Sequence, residues 1–556
     1  MPSRFALLAA GLAGLALAVP AAAQPAPRLK PPVENHSEIL NDADFAAFRS
    51  GMRAADEAEW DEVRNARFDV QNAVASDLLL WRIATGDPRA AFSEIDLALD
   101  RLDGWPQLWN IQREAEWKIE DSGLSEELIT AWFEERAPVT GEGAVAFGEA
   151  LIALGRDEEG EAQIREAWLE QTMRLSTQAA VLREHGDLFS REDHASRVDF
   201  LIWSHQRTAA GRLLPELESG ERRLAEARIR LSARGAGVDA AVDRVPQSLL
   251  EDPGLVFERA RWRRRAGLDT AQPLLLQLPA GHEHGEALEL MWRERKLAIL
   301  DLLRDEDFVT AYQLAASNGM SSGVEFADAE FIAGWLALTR LNEPETALDH
   351  FRKLEAGVST PVSLSRAKYW QGRAAEAAGE LELARERFTA AAQHVTAYYG
   401  QLALLALGPD AAEIDLPDDP VITAADRAAF HARPEITAIR LLAEINADYL
   451  FRVFMYHFDD EMQTDAEQAM LADIATEFLR VREQVRAAKA ARMQGSTLAT
   501  RAYPVISLPS DAPVFPEAAL THSVIRQETE FHQQAVSRAG ARGIMQMMPA
   551  TARATA

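Results

Sequence analysis

A helical pattern that keeps returning is what most constrains this chain. From about residue 37 to 408, apolar residues recur at three- and four-residue spacing, as in "EFIAGWLALTRL" and "SRAKYWQGRAAEAA". That spacing predicts amphipathic helices one after another. Short breaks carry turn residues: "TGDP", "RLDGWP", "ALGRDEEG", "RLNEPE", "AAGELE". Long Val/Ile/Thr alternations are absent, so no sheet is expected. A unit also repeats. Trp335 and Trp370 lie 35 residues apart, and the pairs Ala347/Phe351 and Ala384/Phe388 lie 37 apart. "ALGRDEEGEAQIREAW" at 153–168 reads as a further unit. One helix pair cannot bury its apolar face alone, so such a period predicts hairpins stacked on a continuous core.

The expected fold class is therefore all-α, with residues 37–408 forming an α-superhelical array of tetratricopeptide-like helix pairs. At 556 residues the chain exceeds one ordinary domain. Residues 409–500 read as a smaller helical linker module. "YPVISLPSDAPVFPEAAL" then places Pro504, Pro509, Pro513 and Pro516 in a short lead-in to a last module, residues 501–556.

At the other end, Arg4 precedes the apolar run "FALLAAGLAGLALAV" and an A-x-A site, "AAAQ", which predicts a signal peptide over 1–23 cut after Ala23. The run is shorter than the ~20 residues of a membrane span. No cysteine stands at the junction to take a lipid. A proline-rich leader, 24–36, follows. These features predict export to the periplasm.

Charge narrows the partners. With 87 acidic against 58 basic residues, the net charge of -29 disfavours nucleic acid and a basic face for anionic lipid. The absence of cysteine excludes disulfides and thiolate metal sites. No metal or cofactor is expected. "GHEHGE" at 281–286 places His282 and His284 near glutamates without a further ligand cluster, and reads as a solvated loop. "GEGAVAFG" at 141–148 lacks the preceding strand and the spacing of a phosphate loop. "RARWRRR" at 259–265 reads as a charged helix face.

Chemistry concentrates in "VIRQETEFHQQAVSRAGARGIMQMMPATARATA", residues 524–556. "EAALTHSVIRQETEFHQQAV" reads as a helix with Thr521, Ile525 and Glu528 on one face and Glu528 late in it. The chain then turns at Gly540 and Gly543 and restarts as a helix before Pro549. A carboxyl group facing Ile544, Met545 and Met548 would have its pKa raised by apolar walls and could act as a general acid. On composition alone a solvated Glu528 beside core methionines is the better reading. Glu530 falls on another helix face and reads as a surface charge.

The joint pattern is more specific than its parts. Arg526-Gln527-Glu528-Thr529, Phe531, Ser537, Gly540-Ala541 and Gly543 through Ala552 together resemble, without gaps, the signature of soluble lytic transglycosylases. Thr529 stands for a serine and Ile544 for a leucine. "FADAEFIAGWLAL", "ALDHFRKL" and "YYGQLAL" also look like that family's helical domain, so the resemblance covers most of 285–556. It implies an α-superhelical ring, a linker domain and a lysozyme-like catalytic domain. It also implies cleavage of the β-1,4 bond between N-acetylmuramic acid and N-acetylglucosamine in peptidoglycan, leaving a 1,6-anhydro end. Ordinary glycosidases use a carboxylate pair. Here one glutamate, aligned with Glu528, would serve as acid and then as base, with Ser537, Gln546 and Met548 lining the sugar cleft. The implied partners are peptidoglycan strands, with cell-wall synthesis proteins as further candidates. The family's catalytic fold continues past this motif, so the expectation is a lysozyme-like domain present only in its first part, and a chain that is nearly silent as it stands. The alternatives are a non-enzymatic periplasmic helical-repeat scaffold, and a hydrolytic lysozyme needing a second carboxylate.

Overall fold

The computed structural model describes residues 36–268, 270–282, 285–409, 414, 416–507 and 517–555. The signal peptide, all but His36 of the leader, His284 and residues 508–516 of the proline-rich lead-in lie outside them. The described residues are helical, with two isolated β-bridges near the C-terminus and no named strand. The chain divides into two compact units, Ala43–Leu416 and a second made of Met1–Asp42 with Pro417–Ala556.

In the first unit most helices pack on a neighbour in the chain, an all-α superhelical repeat. Its hairpins are joined by a glycine on one helix and a bulky apolar side chain on the next. Gly372 of helix Pro361–Ala378 lies so near Phe388 of helix Leu381–Ala392 that a Cβ there would stand 2.6 Å from the ring. Gly334 stands in the same relation to Phe351, also at 2.6 Å, and Gly148 to Ile164 at 2.6 Å. Ala347, Ala384 and the rings of Phe351 and Phe388 are all buried. The repeat at 153–168 thus belongs to the same scheme, with Ile164 and Trp168 in its core.

The register corrects one detail. Gly334 and Gly372 are the equivalent positions, so Trp335 and Trp370 are not. Trp370 packs against Phe331, Phe351 and Tyr399, whereas Trp335 lies under Arg340. A π-turn over Ala337–Leu341 follows Gly334. Such a turn accommodates one inserted residue, which matches the longer glycine-to-phenylalanine spacing in this hairpin.

Two arginines are fully buried here. Arg197 donates to the carbonyls of Trp168 (2.6 Å) and Gln171, and Arg295 to those of Ser317 (2.6 Å) and Leu278 (2.8 Å). Each guanidinium satisfies carbonyls left over at helix C-termini, where a cation also suits the helix dipole. Burial pulls both pKa values down to about 10, so both stay charged at neutral pH. Arg261 and Arg264, from the arginine-rich run, both pair with Glu294 (3.3 and 2.6 Å).

The second unit packs helices Ala424–His431, Pro434–Glu444, Asp448–Phe458, Asp465–Glu477 and Val481–Met493 around Phe430, Phe451, Phe454, Leu471 and Ile474. Capping boxes Thr423/Asp426 and Thr464/Glu467 start two of them. The first described residues join this unit. The Ser37 hydroxyl and the Glu38 amide both donate to the Glu444 carboxylate, while Arg440 pairs with Glu38 and Glu477. Asp459, buried beside Asp460, has its carboxyl pushed up to about 7, first by burial and then by its neighbour's charge.

Candidate active site

The helix that carries Glu528 runs Ala518–Thr529. It stops earlier than the periodicity suggests because Glu530 (φ 52°) and Phe531 (φ 69°) both adopt the left-handed region. That costs energy in non-glycine residues and is offset by what the turn places. Phe531 drops into a core with Val485, Ile506 and Ile525. The Glu530 carboxylate meets Lys489 Nζ at 2.6 Å. Glu530 is therefore an anchored half-buried charge, not a free surface one.

The other motif residues also hold structure. Arg526 Nε donates to the Ala502 carbonyl (2.8 Å) and its guanidinium stacks on Tyr503, 4.5 Å from the ring centre. Burial lowers its pKa. The buried Thr529 hydroxyl lies 2.7 Å from the Ile544 carbonyl and 3.2 Å from that of Ile525, and so links the helix end to the following loop. A serine would make the same bond; threonine adds a methyl in a buried position. His522 grips Ile506, with Nε2 3.1 Å from its amide nitrogen and 3.0 Å from its carbonyl.

Glu528 differs from all of these. Ile525 and Thr529 occupy the buried side of the helix and Glu528 is exposed. It makes no hydrogen bond or ion pair among the described residues. The apolar walls expected around it are not found there.

Residues 535–548 form a compact loop in place of the expected direct restart of helix. Val536 bridges to Arg542, and Arg542 to Met547 through paired amide–carbonyl bonds of 3.0 and 3.1 Å. Gly540 (φ 87°) and Gly543 (φ 74°) supply the left-handed corners. Ser537 closes the first corner: its Oγ accepts from the Ala541 amide (3.0 Å) and its own amide donates to the Ala541 carbonyl (2.9 Å). Gln546 Nε2 donates to the carbonyls of Ala535 (3.2 Å) and Gly543 (3.0 Å). Met545, Met547 and Met548 are exposed. Helix Pro549–Thr555 follows, with proline at its first position. The structure thus uses Ser537 and Gln546 inside the loop and leaves Met548 and Glu528 open to solvent. Sequence reasoning missed Lys489, 41 residues from its partner Glu530, because nothing local signals it. A group with metal-ligand spacing among the described residues, Glu149, Glu184 and His185, lies in the other unit.

Residues 516–556 match the family model of the Transglycosylase SLT domain. No curated protein matches the chain. Among solved structures, lytic transglycosylase Slt from Pseudomonas aeruginosa, an inactive glutamate-to-glutamine mutant, is 18% identical, with 92% of this chain aligned to 81% of that one and a TM-score of 0.60. The 70 kDa soluble lytic transglycosylase SLT70 from Escherichia coli is 16% identical over the same shares, 92% and 81%, with a TM-score of 0.48. The likeness to the Pseudomonas aeruginosa structure is one of fold.

Proposed function

We propose that this chain, whose residues 516–556 match the Transglycosylase SLT domain, is a lytic transglycosylase that cleaves the β-1,4 bond between N-acetylmuramic acid and N-acetylglucosamine in periplasmic peptidoglycan and closes a 1,6-anhydro ring. The observation that carries this reading is the contrast between two carboxylates. Glu528 is unengaged at a helix end, while Glu530 is committed to Lys489. A two-carboxylate hydrolase needs a second free group, and Glu530 is not one.

Glu528 then works alone. Its protonated form gives a proton to the glycosidic oxygen, and the resulting carboxylate takes one from the muramic acid C6 hydroxyl. That hydroxyl attacks the anomeric carbon within the same sugar, so no water is activated, and intramolecular attack carries a high effective concentration. Ser537, Gln546 and Met548 line the cleft, the first two while also fixing the loop's shape. The inactivity of the Pseudomonas aeruginosa glutamate-to-glutamine mutant supports giving the chemistry to one glutamate. No helix among the described residues is long and apolar enough to cross a membrane.

Product analysis on purified sacculi tests this reading. Anhydromuramic ends are expected; reducing muramic ends would exclude the mechanism. The rival reading, a helical-repeat scaffold without turnover, draws on the engagement of Ser537 and Gln546 within their own loop. It predicts sacculus binding with no product of either kind.

A further inference from the structure

The "GEGAVAFG" run, no phosphate loop, opens helix Gly141–Ala153, and its glycines are there for close packing. A Cβ on Gly141 would stand 2.8 Å from the Thr172 carbonyl, and one on Gly143 2.4 Å from the Glu116 carboxylate. This helix start forms one wall of a groove of about 380 Å³ in the hairpin unit. Trp109, Gly141, Met173 and Gln206, which line it, are 32, 32 and 33 residues apart, so the groove crosses successive hairpins at one repeated level.

Its surface has three components. Trp109 is 55% exposed. Arg113 is layered between Trp109 (5.3 Å) and Trp117 (4.8 Å), and Arg174 covers Trp117 at 5.0 Å, a ladder of alternating indoles and guanidiniums. Amide and hydroxyl groups of Thr140, Gln171, Thr172 and Gln206 complete the lining. Trp117 Nε1 and Arg113 Nε are buried without a hydrogen-bond partner.

The walls are prebuilt. Buried Glu116 accepts from the amides of Val139 and Thr140 (both 2.8 Å) and the Thr140 hydroxyl (2.6 Å). Buried Glu142 accepts from Arg174 N (2.6 Å) and Nε (3.2 Å), and Arg197 ties down the Gln171 carbonyl. Glu142, the one carboxylate on the lining, is thus occupied by Arg174 (3.2 Å), and Arg113 reaches Glu114 (3.3 Å) through one Nη, so each guanidinium keeps further N–H groups to offer the groove.

We infer that this groove is a second glycan-binding site that takes a linear, N-acetylated, carboxylate-bearing sugar chain. The choice of sugar rests on the transglycosylase reading above. An exposed indole offers an apolar face with a polar tip, suited to the C–H face of a pyranose ring. The amides and hydroxyls meet sugar hydroxyls, and Arg113 and Arg174 meet carboxylates as planar forks. A groove spanning several repeats suits a polymer better than a compact ligand.

The test uses the whole protein carrying Glu528→Gln, so that cleavage does not intrude. It measures binding to peptide-free peptidoglycan glycan strands and to chitohexaose, which shares the N-acetyl groups and lacks carboxylates. Trp109→Ala should weaken both by about tenfold or more, as truncating a tryptophan anchor does. Arg174→Gln should weaken the strands and spare chitohexaose, a split that general unfolding could not produce. Unchanged affinity for both probes in Trp109→Ala overturns the proposal. Anhydro-product release by the unsubstituted protein is read separately. Its absence with tryptophan-dependent binding intact counts against the catalytic reading and supports this one. Its presence with binding indifferent to Trp109 overturns this one alone.

Discussion

In the hairpin unit, Gly334 and Gly372 seat the rings of Phe351 and Phe388, and the helices pack side chain into backbone. Between residues 532 and 548 no residue is fully buried, and the loop is held by hydrogen bonds between backbone groups, Ser537 and Gln546. The first region tolerates drift in its sequence as long as a small residue faces a large one. The second depends on particular residues, because each hydrogen bond and each left-handed corner asks for a specific side chain or none. That difference explains why the repeat is faint in the sequence and the signature is dense, although the repeat is the larger structure.

The sharpest way to separate the two regions is to change one atom type in the loop region's exposed acid. Relative to whatever turnover the unsubstituted protein shows on sacculi, Glu528→Gln should give a loss of about 10²–10⁴-fold, since one residue serves as both acid and base. The thermal midpoint should hardly move, because the side chain is exposed. A variant that keeps more than a tenth of its activity would return Glu528 to the solvated surface.

The converse change lies in the hairpin unit. Phe388→Ala empties the seat beside Gly372 and should cost about 3–5 kcal/mol in denaturant unfolding. A loss well under 1 kcal/mol would mean that the glycine–ring contact does not hold the hairpin.

Asp459 sharpens the comparison through pH. Its folded pKa, about 7, stands above the 3.8 of an ordinary aspartate. The folded form therefore binds the extra proton, and this contribution to stability is full below the unfolded pKa and lost as pH rises through about 7. Between pH 5 and 8 the loss should be on the order of 2 kcal/mol. Asp459→Asn should flatten that slope; an unaltered pH profile of unfolding would refute the assignment.

Thr529→Val is expected to be the mildest, about 1 kcal/mol for one buried hydroxyl bond. Thr529→Ser should retain the bond to Ile544. If valine and serine behave alike, the link between helix and loop is not made by the hydroxyl.

Much of this was legible beforehand, for physical reasons. Helix after helix follows from apolar spacing, and the hairpins from the Ala/Phe pairs. The tryptophan register misled because Trp335 and Trp370 are alike in type but not in place, the glycine being the residue that the packing fixes. Glu528 stood out within its motif. The helix end at Thr529 did not, since two non-glycine residues in the left-handed region carry no local sign. Lys489 and the Trp109 groove depend on tertiary neighbours, which periodicity cannot reach.

The clasp of Ser37 and Glu38 on Glu444 has a consequence for how the molecule is assembled. The hydroxyl and the carboxylate it reaches are 407 residues apart. Chain synthesis runs from the N-terminus, so Ser37 waits for its partner until most of the protein has emerged, and closing so long a loop is slow compared with local hairpin formation. The hairpins between can form while the ends are still apart. The second unit is thus discontinuous along the chain, and a fragment cut at Pro417 to express it alone would leave its first segment behind and Glu444 without the two donors that meet it.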